Sequence, residues 1–498
     1  MRRIFIILGV ISIGMFTSCA KKDNTTQTPT ESAIAVSPSS LTSTADGGTS
    51  AISVSMNGSY WTAVSDQSWC TLSPSVSYTP NTNVNVICAS NGTKNSRTAN
   101  LTFKVDAKKT KIITVVQAGQ VDLYPDYSSP IAPDNTGMVS TAKVLAAKML
   151  AGWNLGNSLE STGGETAWGN PLTTQRLIDS VKAAGINAIR IPCGWNSYIE
   201  NAGTCKLSAS WLARVKEVVD YCINDNMYVI INIHYDGGWL QDNPTYAKQY
   251  TVNAKQKALW QQIAVSFRDY DEHLLFAGTN EVNSGSTTAV AENFTVQMSF
   301  NQTFVDAVRS TGGKNSYRNL IIQAFNTNID LAVAHLIVSN DTIKNRLMVE
   351  VHYYDPWEFA GLEADASWGT VKNFWGADYA QYGLEANWGQ EEYVLTQFQK
   401  MKTNFVDKGY PVILGEFGAI RRSTLTGTTL EHHLASRAYY IQYVGQQAKN
   451  YGMVPFYWDN GATGNLGFGI FNRSNGSTFD RQALNAYITG ITAGTYPF

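Results

Sequence analysis

Charge of one sign is what this chain has little of. Its 498 residues carry 37 basic against 39 acidic side chains, a formal net charge of −2, and only 15% of them are charged. Nucleic-acid binding leans on a basic surface, so this balance gives no electrostatic ground for such a partner. Cysteine is scarce as well: beyond Cys19 there remain Cys70, Cys88, Cys193, Cys205 and Cys222, an odd set without CxxC spacing. That excludes a disulfide framework and argues for no metal site. One pair can form in an oxidising compartment, and buried free thiols are the expectation. The leading apolar run, from Ile4 to Phe16, is too short to span a membrane as a mature helix.

What is present begins with an address. Arg2 and Arg3 precede that apolar run, the pattern of a secretory signal that is removed, here residues 1–18. The boundary Phe16-Thr-Ser-Cys19 resembles a bacterial lipobox, which implies lipidation of Cys19. An exported lipoprotein at the outer membrane or cell surface, touching the membrane only through its lipid, is therefore expected. Lys21 and Lys22 follow where surface-exported lipoproteins of Bacteroidetes often carry acidic residues, which leaves surface or periplasmic exposure open. Residues 19–32, rich in Thr, Ser and Asn without hydrophobic period, read as a flexible tether.

From 33 to 119 the pattern is one of short alternating runs, such as Val84-Asn-Val-Ile and Leu101-Thr-Phe-Lys-Val, set off by Gly, Asn and Pro. Strands so spaced predict a small all-β, immunoglobulin-like sandwich. Trp61, Trp69, Asn91, Arg97 and the closing Gln117-Ala-Gly resemble the BACON module of glycan-degrading Bacteroidetes proteins. No sugar site is evident in these residues; Trp69 reads as core rather than binding platform, and the module as a spacer. Pro125, Pro130 and Pro133 mark 120–140 as a linker.

Residues 141–498 change character. Strand-like runs recur near 150–155, 188–192, 228–233, 274–278, 319–324, 347–351, 411–415 and 454–458, most of them separated by helical patterns. One such pattern is Trp211, Val215, Val218 and Cys222, with Arg214, Lys216 and Glu217 on the polar side. Eight alternations predict an α/β fold, the (β/α)8 TIM barrel. No GxGxxG follows the first run, against a dinucleotide-binding sheet.

Barrel chemistry lies at the C-terminal ends of the strands. Here those ends carry Asn154 to Asn157, Arg190 to Trp195, Asn232 to His234, Asn280-Glu281, His352 to Tyr354, Glu416 and Trp458-Asp459. Polar groups gathered at one rim must satisfy one another or a ligand. Two carboxyls among them, Glu281 and Glu416, suit the acid and nucleophile of a glycosidase that retains configuration, which sit roughly 5–5.5 Å apart. Thirteen Trp and 25 Tyr supply flat rings for sugar faces, although core packing takes most of them.

The region 150–498 resembles glycoside hydrolase family 5. Gly152-Trp-Asn-Leu-Gly-Asn157 and Val349-Glu-Val-His-Tyr-Tyr-Asp-Pro356 are similar to its subfamily 4. The resemblance implies an acid/base at Glu281, a nucleophile at Glu416, Asn280 on the sugar 2-hydroxyl, and Arg190 holding the nucleophile ionised. It also implies cleft histidines at His234 and His352, Tyr354 beside the nucleophile, and Trp458 under the sugar at the cut. Asn157 and Trp239 join the expected substrate-binding set, and Trp195, Trp239, Trp357 and Trp388 are expected to line an open cleft. The cation near Glu416 should lower its pKa, while burial and a second carboxyl should raise that of Glu281. Two departures stand out: Val282 where the family has proline after Asn-Glu, and Tyr235 where it has a second histidine.

The reading is a monomeric, cofactor-free, retaining endo-β-1,4-glucanase acting on soluble cellulose-like glucan, mixed-linkage glucan or xyloglucan. An endo-β-1,4-mannanase or xylanase on the same barrel is the rival within the class. A non-catalytic surface glycan-binding lipoprotein is the rival outside it.

Overall fold

The computed structural model describes residues 31–285 and 288–498. The expected signal sequence, Cys19 and nearly all of the tether lie outside those residues. The chain divides between Val121 and Asp122 into two compact units.

The first unit is a two-sheet sandwich. One sheet runs in the order Ala33–Ser37, Gly48–Asn57, Asn81–Cys88, Cys70–Ser73; the other in the order Ser40–Ser43, Lys109–Gln117, Arg97–Val105, Trp61–Ser65, Val76–Ser77. Alternation decides which face is inside: along Asn81–Cys88, Val84, Val86 and Cys88 are buried while Asn85 and Ile87 are open. Ile52 and Val54 from the first sheet meet Trp61, Leu101 and Phe103 from the second in one core. The residues that resemble the BACON module act as fasteners. Arg97 Nε donates to Gln117 Oε1 at 2.8 Å, its guanidinium lies 4.2 Å over Trp69, and Asn91 Nδ2 donates to the carbonyls of Asn95 and Ala118.

The second unit is a closed barrel of eight parallel strands: β1 Gly152–Leu155, β2 Ala188–Ile191, β3 Tyr228–Asn232, β4 Leu274–Ala277, β5 Leu320–Gln323, β6 Leu347–Tyr353, β7 Val412–Phe417 and β8 Met453–Asp459. Period-two alternation sorts its side chains. Ile189, Val229, Phe276, Ile322, Val349 and Leu414 face the helices. Ile230, Leu275, Ile321, Met348, Ile413 and Val454 fill the interior, joined from below by Leu145 of the Ala142–Lys148 helix and by Met149 that follows it. The helix predicted around Trp211 is Ala209–Asn224, and Trp211, Val215, Val218 and Cys222 are its buried face. Among the described residues no helix is long and apolar enough to cross a membrane.

The stretch expected as a linker behaves differently from Asp122 onward, where it belongs to the barrel unit. Tyr127 donates through its backbone N–H to Gln261 and through its hydroxyl to the Thr204 carbonyl. Ile131–Pro133 pairs with Gly312–Gly313, and Ser140 binds Glu272 through both backbone and hydroxyl at 2.7 Å. Its Tyr127 and Ser140 side chains anchor it, and Met138 is buried.

Candidate active site

One step above the apolar interior the inward positions turn polar. β1 contributes Asn154, β2 Arg190, β3 Asn232, β5 Gln323 and β6 Glu350, all fully buried. The same alternation then carries β6 to His352 and Tyr354, and β8 to Trp458. A bulge in β7 breaks its register between Leu414 and Phe417, and His352 comes to stand opposite Glu416. Bulges re-aim side chains in this way. The carbonyl of the bulged Gly415 accepts a 2.8 Å bond from Asn154 Nδ2.

Arg190 organises the centre. Its Nη1 donates to Glu416 Oε1 at 2.9 Å and to Asn154 Oδ1 at 3.0 Å, its Nη2 donates to Asn280 Oδ1 at 2.8 Å, and its Nε pairs with Glu350 at 2.9 Å. Because Asn280 spends its oxygen on Arg190, its amide N–H groups are left for a ligand or for Gln241, 3.5 Å away. Tyr354 donates to the second oxygen of Glu416 at 3.1 Å. His352 Nδ1 lies 2.7 Å from Glu281 and 3.7 Å from Glu416. One oxygen of each of Glu281 and Glu416, with a His352 nitrogen, fall within 4.8 Å of one another. That spacing suits a retaining pair and is too close for an inverting one, which needs ~6.5–9.5 Å. These three side chains are also what a cation would have to use. Both Glu416 oxygens and His352 Nδ1 are already taken by partners within the protein.

The other cleft histidine is oriented by its neighbours. Cys193 N–H donates to Asn232 Oδ1 at 3.1 Å, which turns the Asn232 amide nitrogen toward His234 Nδ1 at 3.2 Å. Nδ1 is then an acceptor, and Nε2 carries the proton. Burial, with the Arg190 and His352 cations, pushes the His234 pKa well down, so the ring is neutral. It stacks parallel to Trp458, 6.0 Å between centroids, and Trp458 keeps a partly open face.

The expected order of acidities is reversed. Burial raises Glu416, and the carboxylates of Glu281 and Glu350 oppose the lowering by His352 and Arg190, so it sits above the ordinary range. Burial also pushes Glu281 up, but the bond to His352 and the charges of His352 and Arg190 outweigh it and bring it down. His352 resists burial because Glu416, Glu281 and Glu350 face it, and its pKa rises to about 9. The sequence places a histidine at this rim; it does not say that the ring leans toward Glu281.

Several expected residues lie elsewhere. Trp195 is no cleft platform: it is fully buried, with its indole N–H on the Asn232 carbonyl at 2.8 Å. The loop turns inward because Asp236 accepts the backbone N–H groups of Trp195 and Asn196. Trp239 donates to the same Asp236 and lies under Lys255. Asn157 forms a left-handed turn at φ 57° whose carbonyl is bound by Asn170, and no hydrogen bond links it to either carboxylate. Trp357 lines a cavity of about 240 Å³ next to Glu281, together with Asn326, Thr327, Asn328 and Asp355. Val282 is fully buried against Leu240, Phe300 and Phe325, so an apolar anchor fixes the chain after Glu281 where proline was expected.

The family description "Cellulase (glycosyl hydrolase family 5)" matches residues 154–464, the span that carries every group just described. The chain belongs to glycosyl hydrolase family 5. It is 39% identical over 446 residues to a xyloglucan-specific endo-β-1,4-glucanase of Bacteroides ovatus, covering 86% of each chain. It is 40% identical to endoglucanase A of Paenibacillus barcinonensis, over 70% of this chain and 90% of that one. Among solved structures, a Bacteroides ovatus family 5 xyloglucanase in complex with a heptasaccharide superposes with TM-score 0.70 at 37% identity, covering 92% of this chain and all of that one. Residues 33–120 match the description "Viral BACON domain". As a family 5 glycoside hydrolase, the chain is an enzyme, which sets aside the non-catalytic alternative.

Proposed function

We propose that this enzyme is a retaining endo-β-1,4-glucanase in which Glu416 is the nucleophile and Glu281 the acid/base, and that xyloglucan is among its substrates. The observation that carries the roles is the asymmetry of the pair. Glu416 is clamped at both oxygens by Arg190 and Tyr354, whereas Glu281 is a third exposed and joined to a proton-bearing histidine. In the first step a Glu416 oxygen attacks the anomeric carbon, the glycosidic bond breaks, and the proton held between His352 and Glu281 leaves with the departing oxygen through Glu281. In the second, water attacks the same carbon, gives its proton to Glu281, and the bond to Glu416 breaks. Asn280 offers N–H donors to the sugar at the cut, with Trp458 beneath it. The cavity beside Glu281 is lined by Thr327, Tyr354 and Trp357 but not by Glu416 or Trp458, which supports reading it as the leaving-group side.

The substrate rests on the relatives named xyloglucan-specific, one of which is 39% identical across 86% of this chain. A reducing-sugar assay on cellulose-like glucan, mixed-linkage glucan, xyloglucan, xylan and mannan tests it. Release from xyloglucan and the plain glucans is expected, and a preference for mannan would overturn the reading. Export, lipidation at Cys19 and a monomeric state complete the proposal. Export and lipidation are supported by the signal and lipobox residues, and intact-mass measurement of the membrane-extracted protein tests the lipid.

A further inference from the structure

Glu350 is a carboxylate with no access to solvent, placed one inward step below His352 on β6. Its Oε1 lies 2.9 Å from Arg190 Nε and 3.3 Å from His352 Nε2, and its Oε2 accepts a 2.6 Å bond from Gln323. β7 gives up a side chain to admit it: a Cβ on Gly415, the residue before Glu416, would stand 2.1 Å from Glu350 Oε1. A buried carboxylate is costly unless paired and hydrogen-bonded. Here both of its charged partners are the cations that serve the reacting pair.

We propose that Glu350 is a positioning residue of this centre, one carboxylate that fixes the far side of both Arg190 and His352 so that the guanidinium presents Nη1 to Glu416 and the imidazole presents Nδ1 to Glu281. The inference rests on the roles given above to Glu281 and Glu416 and deepens them. Glu350 Oε1 faces Nε as a buried ion pair without hydrogen-bond geometry, so its charge rather than a directed bond favours the guanidinium orientation that keeps Nη1 on Glu416 and Nη2 on Asn280. With Nε2 facing an anion, the imidazole keeps a proton on each nitrogen, and the one on Nδ1 points at the acid/base.

The charged and titratable groups around Glu350 are Arg190 from β2, His352 and Tyr354 from β6, Glu416 from β7 and Glu281 after β4, with neutral His234 beyond His352. Replacing Glu350 by glutamine removes one anion from this set at constant shape. A carboxyl that loses a neighbouring anion ionises at lower pH, and a histidine that loses one gives up its proton at lower pH. Both limbs of the rate profile must therefore move toward acid together, which a loss of packing alone does not produce.

The test compares the full chain with Glu350→Gln on an aryl β-cellobioside and on xyloglucan, with ¹⁵N-imidazole spectra of both proteins and His352→Gln as the assignment control. The variant is expected to lose at least tenfold in kcat with KM within about twofold, to shift both pH limbs acidward, and to deprotonate His352 at least one pH unit below the wild type. Gln323→Met, which frees Glu350 Oε2 and also the Thr279 N–H and hydroxyl without changing charge, is expected to lower kcat more than Thr279→Val does and to leave the limbs in place. This second variant keeps the test decisive if Glu350→Gln fails to fold. Unmoved limbs in Glu350→Gln, a kcat in Gln323→Met no lower than in Thr279→Val, or a wild-type His352 that titrates near 6.5 would each overturn the proposal. If Glu350→Gln is unchanged and still cuts with retention, this inference alone falls and the roles of Glu281 and Glu416 stand.

Discussion

Arg190 and Glu416 are 226 residues apart in the chain and 2.9 Å apart in the structure. Every strand between them contributes to that meeting, since parallel register brings β2 and β7 to the same polar layer across the barrel. The guanidinium opposes the rise that burial imposes on Glu416, and it holds one oxygen in place.

Glu416→Ala is expected to lose nearly all hydrolysis and to recover part of it with azide. A small anion that enters the vacated face yields the α-glycosyl azide. NMR of the product decides; a β-azide would contradict the role.

Glu281→Ala should slow natural glucans far more than an aryl glycoside, whose phenolate leaves with little help from a proton. In the wild type the rate rises as Glu416 ionises, above the ordinary carboxylate range, and falls as the Glu281–His352 pair loses its proton toward about 9. The acid limb should survive in the variant and the alkaline limb disappear on the aryl substrate. An intact alkaline limb would mean that another residue donates the proton.

Two of the four tryptophans expected in the cleft, Trp195 and Trp357, should behave in opposite ways. Trp195→Ala opens a cavity in the core and is expected to cost ~3–5 kcal/mol of stability, read from denaturant unfolding. Trp357→Ala, 40% exposed beside the cavity near Glu281, should leave stability within ~0.5 kcal/mol and raise KM for xyloglucan. The reverse pattern would mean that the cleft is lined elsewhere.

Deleting residues 20–120 should barely change turnover on soluble glucan, because the sandwich carries no paired carboxyls and its distinctive side chains are spent on its own fastening. A loss beyond tenfold, ~1.4 kcal/mol of transition-state stabilisation, would show that the module does more than space.

The barrel and its reacting pair were legible because both are written locally: eight apolar runs, and polar residues where each run stops. What escaped the sequence depends on direction rather than identity. Trp195 follows β2 at a rim position, but only the Asp236 carboxylate, 41 residues on, shows that its loop turns inward. Glu350 stands inside a strand that reads as apolar, and nothing in the string says that Arg190, Gln323 and a missing Gly415 side chain await it. The acidities reverse for the same reason, since the lean of His352 toward Glu281 by one ångström decides which carboxyl feels it more.

β6 places Glu350 and His352 on successive inward positions and Tyr354, one residue past its end, continues them, so three contributions to one centre share a single register. A one-residue insertion in that strand ahead of Val349 would turn all three toward the helices and bring Val349, Val351 and Tyr353 to the middle of the barrel. Drift in this segment is therefore confined to exchange of side chains at fixed length. Growth and shrinkage are left to the segment beyond the short Trp357–Ala360 helix.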